Sequence, residues 1–244
     1  MRYLLFMAIT LLVSACASPV IPPPKSADFY LQEGEDMFDR GLYEDAIANW
    51  EKVRDSYYSP ELNIIAEMKI AEAYYLSEMF PEAAAAYEDF LKQHPNSDRV
   101  PQAMYQLGMS YYQQLLNADR DQTATQNALV TFESLLARFP EDADKEQLKA
   151  YIGQCQDRLA AHEVYVGKWY LKTDKPEAAI NRLEGMFQTY PNYFYRDEAW
   201  LYLGKAYLRS GQKEKAVHAF NTLYKDFPGS IYIVEAQKIM EKNY

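Results

Sequence analysis

Apolar positions recur along the chain at the three-to-four-residue spacing of amphipathic helices, and the whole pattern then repeats. One small residue marks each unit: Gly34, Ala71, Gly108, Gly167 and Gly204, at intervals of 37, 37, 59 and 37 residues. Twelve residues after it stands an alanine (Ala46, Ala83, Ala179, Ala216), and four further a large apolar residue (Trp50, Tyr87, Leu183, Phe220). Eight further still comes proline, at Pro95, Pro191 and Pro228, with Tyr58 in its place in the first unit. The third unit carries Ala128, Phe132 and Pro140 at the same internal spacing after an eight-residue insertion. The register predicts two helices per unit. A residue without bulk on the first helix lets the second approach closely. The large apolar residue fills the gap that remains, and proline ends the second helix.

No strand-like alternation bounded by turn residues stands out between residues 28 and 244. The unit resembles the tetratricopeptide repeat. The fifth matches it best, through Trp200, Leu203, Gly204, Tyr207, Ala216, Phe220 and Pro228. One hairpin cannot bury its apolar face alone, so the expected fold is all-α, a solenoid of about five stacked helical hairpins. The long step is informative. Pro140 to Gly167 spans 27 residues, against 13 for Pro95 to Gly108 and for Pro191 to Gly204. The surplus is close to four helical turns. It predicts a long first helix in the fourth unit, from Asp144 to Lys172. The insertion, around "NADRDQTATQ", predicts an extended loop inside the third unit.

On each first helix, the positions three before, one after and four after the small residue share a face. This face should line the concave side. Three before stand Leu31, Met68, Tyr105, Val164 and Leu201; four after stand Phe38, Tyr75, Tyr112, Leu171 and Leu208. Phe38, Tyr75 and Tyr112 form an aromatic ladder with equal steps. The charge one after the small residue switches from Glu35 and Glu72 to Lys168 and Lys205. Two readings of the ladder stand. Stripes at helical spacing complete a core; equally, large rings with polar tips suit a groove for an extended peptide. In the second reading the groove residues are Phe38, Met68, Tyr75, Tyr105, Tyr112, Lys168 and Lys205.

The chain begins differently. Tyr3 to Ala15 is an apolar run of 13 residues behind a single charge, Arg2. A membrane-crossing helix needs about 20 such residues, so the run reads as a secretory signal. Its end, Val13-Ser14-Ala15-Cys16, resembles the lipobox of bacterial lipoproteins, with Val13 where leucine is usual. That resemblance implies cleavage before Cys16 and a covalent lipid on it, N-palmitoyl and S-diacylglycerol. Ala17, rather than Asp, then resembles the signal for outer-membrane sorting. Ala15-Cys16-Ala17 also fits an ordinary cleavage site that would release a soluble protein. Residues 16–27 read as a lipidated cysteine and a tether, stiffened by three consecutive prolines.

Charge narrows the partners. Removing residues 1–15 leaves 229 residues and moves the formal charge from −10 to −11. An acidic chain lacks the basic footprint of a nucleic-acid binder and has no electrostatic grip on anionic lipid. With Cys16 lipidated, Cys155 has no disulfide partner; in "AYIGQCQDRL" it reads as a small buried hydrophobe. His94, His162 and His218 are isolated, and no nucleophile elbow, phosphate-binding glycine loop or zinc spacing is visible. An enzyme is not expected, nor any cofactor beyond the lipid. Asp119-Arg120-Asp121 reads as a solvated charged loop.

The lipobox, the proline tether, the third-repeat insertion and the long helix together resemble the BamD family of outer-membrane β-barrel assembly lipoproteins. The likeness covers essentially the whole chain. Its more specific segments are "DRDQTATQNALVTFESLLARFP", "RLAAHEVYVGKWYLK" and "AINRLEGMFQTYPNYFYRDEAW". The resemblance implies a subunit at the periplasmic face of the outer membrane. Repeats within residues 28–140 would bind C-terminal signals of unfolded barrel proteins. Residues 141–244 would dock on BamA, with other machinery subunits alongside. Arg196 matches a family position linked to BamA contact. The first repeat departs from the pattern, ending Tyr57-Tyr58-Ser59 where a Tyr-Pro turn is usual. A different class of function remains open: an envelope adaptor that coordinates peptidoglycan and binds no barrel substrate. A third is a soluble periplasmic chaperone, should Cys16 not be acylated.

Overall fold

The computed structural model describes residues 25–55, 59–141 and 144–243. Cys16, the signal, most of the tether and Tyr57-Tyr58 lie outside the described residues. Among the described residues eleven α-helices follow one another and no strand occurs. They pair as α1 (Ala27–Asp39) with α2 (Tyr43–Arg54), α3 (Pro60–Leu76) with α4 (Phe80–Gln93), and α5 (Val100–Tyr112) with α6 (Thr123–Arg138). Then come α7 (Lys145–Lys172) with α8 (Pro176–Thr189), α9 (Arg196–Arg209) with α10 (Lys213–Asp226), and a final α11 (Ile233–Asn243). Each helix packs on the one before and the one after, the arrangement of a tetratricopeptide solenoid of five hairpins.

The large apolar residue of each second helix is the knob of its repeat. Trp50, Phe132, Leu183 and Phe220 are 0% exposed and Tyr87 is 1%. A methyl group added at Gly34 would meet the Trp50 ring at 2.3 Å, and one at Gly108 the Phe132 ring at 2.4 Å. The small residue is thus a contact requirement, as its spacing implied.

Both turn types repeat as well. The turn inside a hairpin places the seventh residue after the small one in the left-handed region: Gly41 (φ 74°), Glu78 (φ 61°), Asp174 (φ 56°) and Gly211 (φ 78°). The next N–H then reaches back five residues, as from Leu42 to Met37 (2.9 Å), Met79 to Tyr74 (2.9 Å), Lys175 to Tyr170 (2.9 Å) and Gln212 to Tyr207 (2.8 Å). This is a Schellman closure, which satisfies a helix-end carbonyl. At the turn between repeats, the residue before proline leaves the helical region. His94, Phe139, Tyr190 and Phe227 share φ near −123° to −132° and ψ near 54° to 64° because the proline ring crowds a helical predecessor. Glutamate strained at position 78 gives a test. Glu78→Gly should stabilise by ~0.5–1 kcal/mol, the cost of holding a Cβ in the left-handed region less glycine's extra unfolded freedom. A urea midpoint that fails to rise would show that Glu78 is unstrained.

The long helix begins where the spacing placed it. Asp144 is its N-cap, accepting from the Glu146 and Gln147 N–H groups at 3.1 Å. It serves two cores. Leu148, Cys155 and Leu159 pack with Phe132 and Leu135 of the third repeat. From Ala160 onward, Val164 and Leu171 pack with Leu183 of the fourth and Phe220 of the fifth. The insertion in the third repeat is a self-bonded loop: the Gln122 side chain donates to the Asn117 and Arg120 carbonyls, at 2.9 and 3.0 Å. His162 on α7 lies 2.7 Å from the Ala118 carbonyl and ties the loop down. Asp121 accepts from the Thr123 N–H at 2.9 Å, and hydrogen bonds from Thr123 hold its carboxyl below the usual range.

Candidate functional site

The ladder rings stand at the edge of the core, each partly buried. Phe38 meets Tyr43 at 5.4 Å and Trp50 at 5.5 Å between ring centroids. Tyr75 meets Phe80 at 5.4 Å, and Tyr112 meets Tyr151 at 4.9 Å and Phe132 at 6.4 Å. Each ring caps the end of its own hairpin and is partly buried. The two readings of the stripe therefore share these residues: one side of each ring completes a core, and the other is available. Met68 differs. It is 5% exposed and packs with Ala71, Tyr87 and Phe90. As a groove residue it acts only from beneath, because the close helix approach at Ala71 encloses it.

The second and third rungs are also braced along the solenoid. The Gln113 amide donates to the Tyr75 hydroxyl at 3.3 Å. The Tyr105 hydroxyl donates to Gln147 at 3.4 Å, and Tyr112 donates to Gln154. Both pairs are 42 residues apart, so α5 and the first half of α7 run side by side with matched seven-residue steps. Burial pushes the Tyr105 and Tyr112 phenols up, which keeps them protonated and able to donate.

Three of the four charges expected on the groove floor are engaged by the protein itself. Glu35 pairs with Lys69 at 2.7 Å. Lys168 pairs with Glu198 at 2.6 Å, and Lys205 with Glu235 at 2.5 Å. The last two are one interaction repeated 37 residues on, and both cations lie by the Tyr202 ring, at 4.9 and 4.5 Å from its centroid. Lys168 and Lys205 thus join successive repeats.

Arg196 opens α9 and is folded into the turn before it. Its guanidinium donates to the Pro191 carbonyl at 2.5 Å and lies 5.8 Å from the Phe227 ring centre. It is partly buried, so it shapes the surface around it as much as it charges it. Just before it in the chain stand two side chains that helical periodicity did not single out. Phe194 is 73% exposed and Tyr195 59%, with their rings edge to face at 4.8 Å. Their neighbour Tyr193 is 5% exposed and takes the only inward place. Three aromatics in one turn, "YFY", were the available signal. Exposed paired rings have the composition of an interface centre.

Among the described residues no group of three or more His, Cys, Asp or Glu could hold a metal, and no helix is long and apolar enough to cross a membrane. The family model for YfiO, described as an outer membrane lipoprotein, matches residues 24–219. The outer membrane protein assembly factor BamD of Caulobacter vibrioides is 26% identical over 192 residues, 77% of this chain and 63% of that protein. The same-named factor of Rickettsia prowazekii is 28% identical over 167 residues, 68% of this chain and 66% of that one. That of Neisseria meningitidis serogroup A is 26% identical over 215 residues, 81% and 80%. The chain thus spans just under two thirds of the first two of these relatives.

Proposed function

We infer the function from one premise: the chain belongs to the YfiO family of outer membrane lipoproteins, whose relatives include the BamD assembly factors. Its place is the cell envelope, and its work is that of a scaffold, not an enzyme. Within that role it is held at the periplasmic face of the outer membrane by lipid on Cys16. It docks on BamA through the turn that carries Phe194, Tyr195 and Arg196, with other subunits of the machinery alongside. It receives C-terminal signals of unfolded barrel proteins along Phe38, Tyr75, Tyr105 and Tyr112. A strand-like segment presents alternate side chains to one face, so successive rungs suit successive anchors. Met68 supports that surface from below, and Lys168 and Lys205 keep the later repeats in line with it.

The observation that carries the docking assignment is the exposed ring pair in the turn that leads into Arg196. Large rings left in water by the fold are where truncation costs binding without costing stability. Tagged protein with Phe194→Ala and Tyr195→Ala together should recover about tenfold less BamA from solubilised membranes than wild type does, with an unchanged thermal melt. Full recovery would remove this turn from the interface. An envelope adaptor would instead bring down peptidoglycan, and no BamA, in both forms.

A further inference from the structure

Facing sides of α7, α9 and α11 enclose a cleft of about 840 Å³. Six basic side chains and one acidic one line it, in a chain whose formal charge is −10. Half of those cations are committed: Lys168 and Lys205 to their carboxylates, and Arg209 to the Leu171 carbonyl. Lys172, Lys238 and Lys242 are exposed and form no ion pair among the described residues. They come from α7 and α11, on either side of an apolar floor made by Leu208 and Ile239, both half-buried. Unpaired ammonium groups around a concave low-dielectric surface concentrate positive potential. The surrounding acidic chain repels long polyanions such as nucleic acid, and a flat lipid surface does not enter a cleft.

We propose that this cleft is a second peptide site, one that takes an extended acidic segment of a protein partner in which carboxylate and apolar side chains alternate. Alternation sends successive side chains to opposite faces. One row reaches the lysine rim while the other settles on Leu208 and Ile239. The site lies at the C-terminal end of the solenoid, away from Phe38 and Tyr75, and its occupancy does not depend on signal binding there.

The test uses the full lipoprotein in detergent and a dye-labelled synthetic peptide alternating Glu and Leu, capped at both ends. Its counterpart carries Lys in place of Glu. Fluorescence anisotropy should show the acidic peptide binding, more weakly as salt rises. The basic peptide should not bind. Lys172→Glu, Lys238→Glu and Lys242→Glu together should weaken the acidic peptide about tenfold or more. All three positions are exposed, so helicity should hold; if it falls, Lys172→Gln with Lys238→Gln removes charge without reversing it and should weaken binding in the same direction. Equal binding of both peptides, or unchanged affinity in a folded variant, overturns the proposal. So does capture of phosphatidylglycerol vesicles by the lysines with no peptide bound.

Discussion

Gly204→Leu is expected to unfold the fifth repeat. A Cβ at this position would lie 2.5 Å from Cε1 of Phe220, 2.7 Å from Cζ and 2.9 Å from Cδ1, and a leucine carries three carbons more. Phe220 cannot yield easily, being 0% exposed and enclosed by Ala216, Ala219 and Leu223. The two helices must separate or the ring must leave its rotamer, so the expected loss is ~1–3 kcal/mol or more. For a chain of this size that lowers Tm by about 2–12 °C. The fourth and fifth repeats share one core, so the loss should reach α8 rather than stop at α9. The size of the partner decides the cost. In the fourth repeat a Cβ at Gly167 would meet Leu183 at 2.9 Å, and in the second Ala71 already faces Tyr87. Gly204→Ala with Phe220→Leu should therefore lose less than the two single changes added together, the mark of direct contact. Gly153 is the control. It is helical with nothing within 4 Å of an added Cβ, so Gly153→Ala should gain about 0.5–1 kcal/mol from helix propensity. Equal melting of Gly204→Leu and wild type would mean that the helices do not close on this glycine.

The parts legible in the sequence are those set by short-range repetition. The step of 37 located the small residues and knobs of four repeats, and the departure from it located the insertion and the surplus turns of α7, because the small-residue-to-knob contact lies within one hairpin. Gly41 and Gly211 could be read as left-handed turn residues, since glycine announces that conformation. Asp174 carries a weaker signal of the same kind, since a short polar side chain tolerates that region, whereas nothing in the chemistry of Glu78 asks for it. The partners of the lysines were hidden for a different reason. Lys168 finds Glu198 and Lys205 finds Glu235, both 30 residues on and in the next repeat. Read alone, each is a free cation on a groove floor. Read as a pair, the offset of 30 recurring after 37 residues is itself a repeat-to-repeat contact. The tyrosines carry the same signal. Tyr111 donates to Glu88 and Tyr207 to Glu184, each 23 residues back. The ladder stayed ambiguous because Phe38, Tyr75 and Tyr112 lie at a boundary, and an amphipathic stripe does not say where burial stops.

Cys16→Ser should abolish anchoring while leaving the repeats folded. Serine has the shape of cysteine without a thiolate, so no diacylglycerol can be transferred to it; an uncleaved or mislocalised precursor should accumulate. Attachment by hydrocarbon burial amounts to ~0.8 kcal/mol per buried CH₂, and stable attachment takes more than one acyl chain. Losing the modified residue therefore removes the whole attachment, not a fraction of it. The acidic chain offers no compensating attraction to anionic lipid. Nor can the second cysteine substitute. Cys155 is 0% exposed in the core of the third repeat, and burial pushes its thiol up to about 11, leaving it neutral and unreachable. Labelled palmitate should accordingly fall to background in Cys16→Ser, and in cells depleted of BamA, where docking cannot retain it, the protein should leave the outer-membrane fraction. Folding reads out separately, because the helices from Ala27 to Asn243 bury their faces against one another. The helical melt of the variant should match that of wild type. Palmitate on Cys16→Ser, or flotation of that variant with outer membranes depleted of BamA, would show that the anchor lies elsewhere. A full melt with no label and no flotation identifies the lipid on Cys16 as the direct tie between this solenoid and the bilayer.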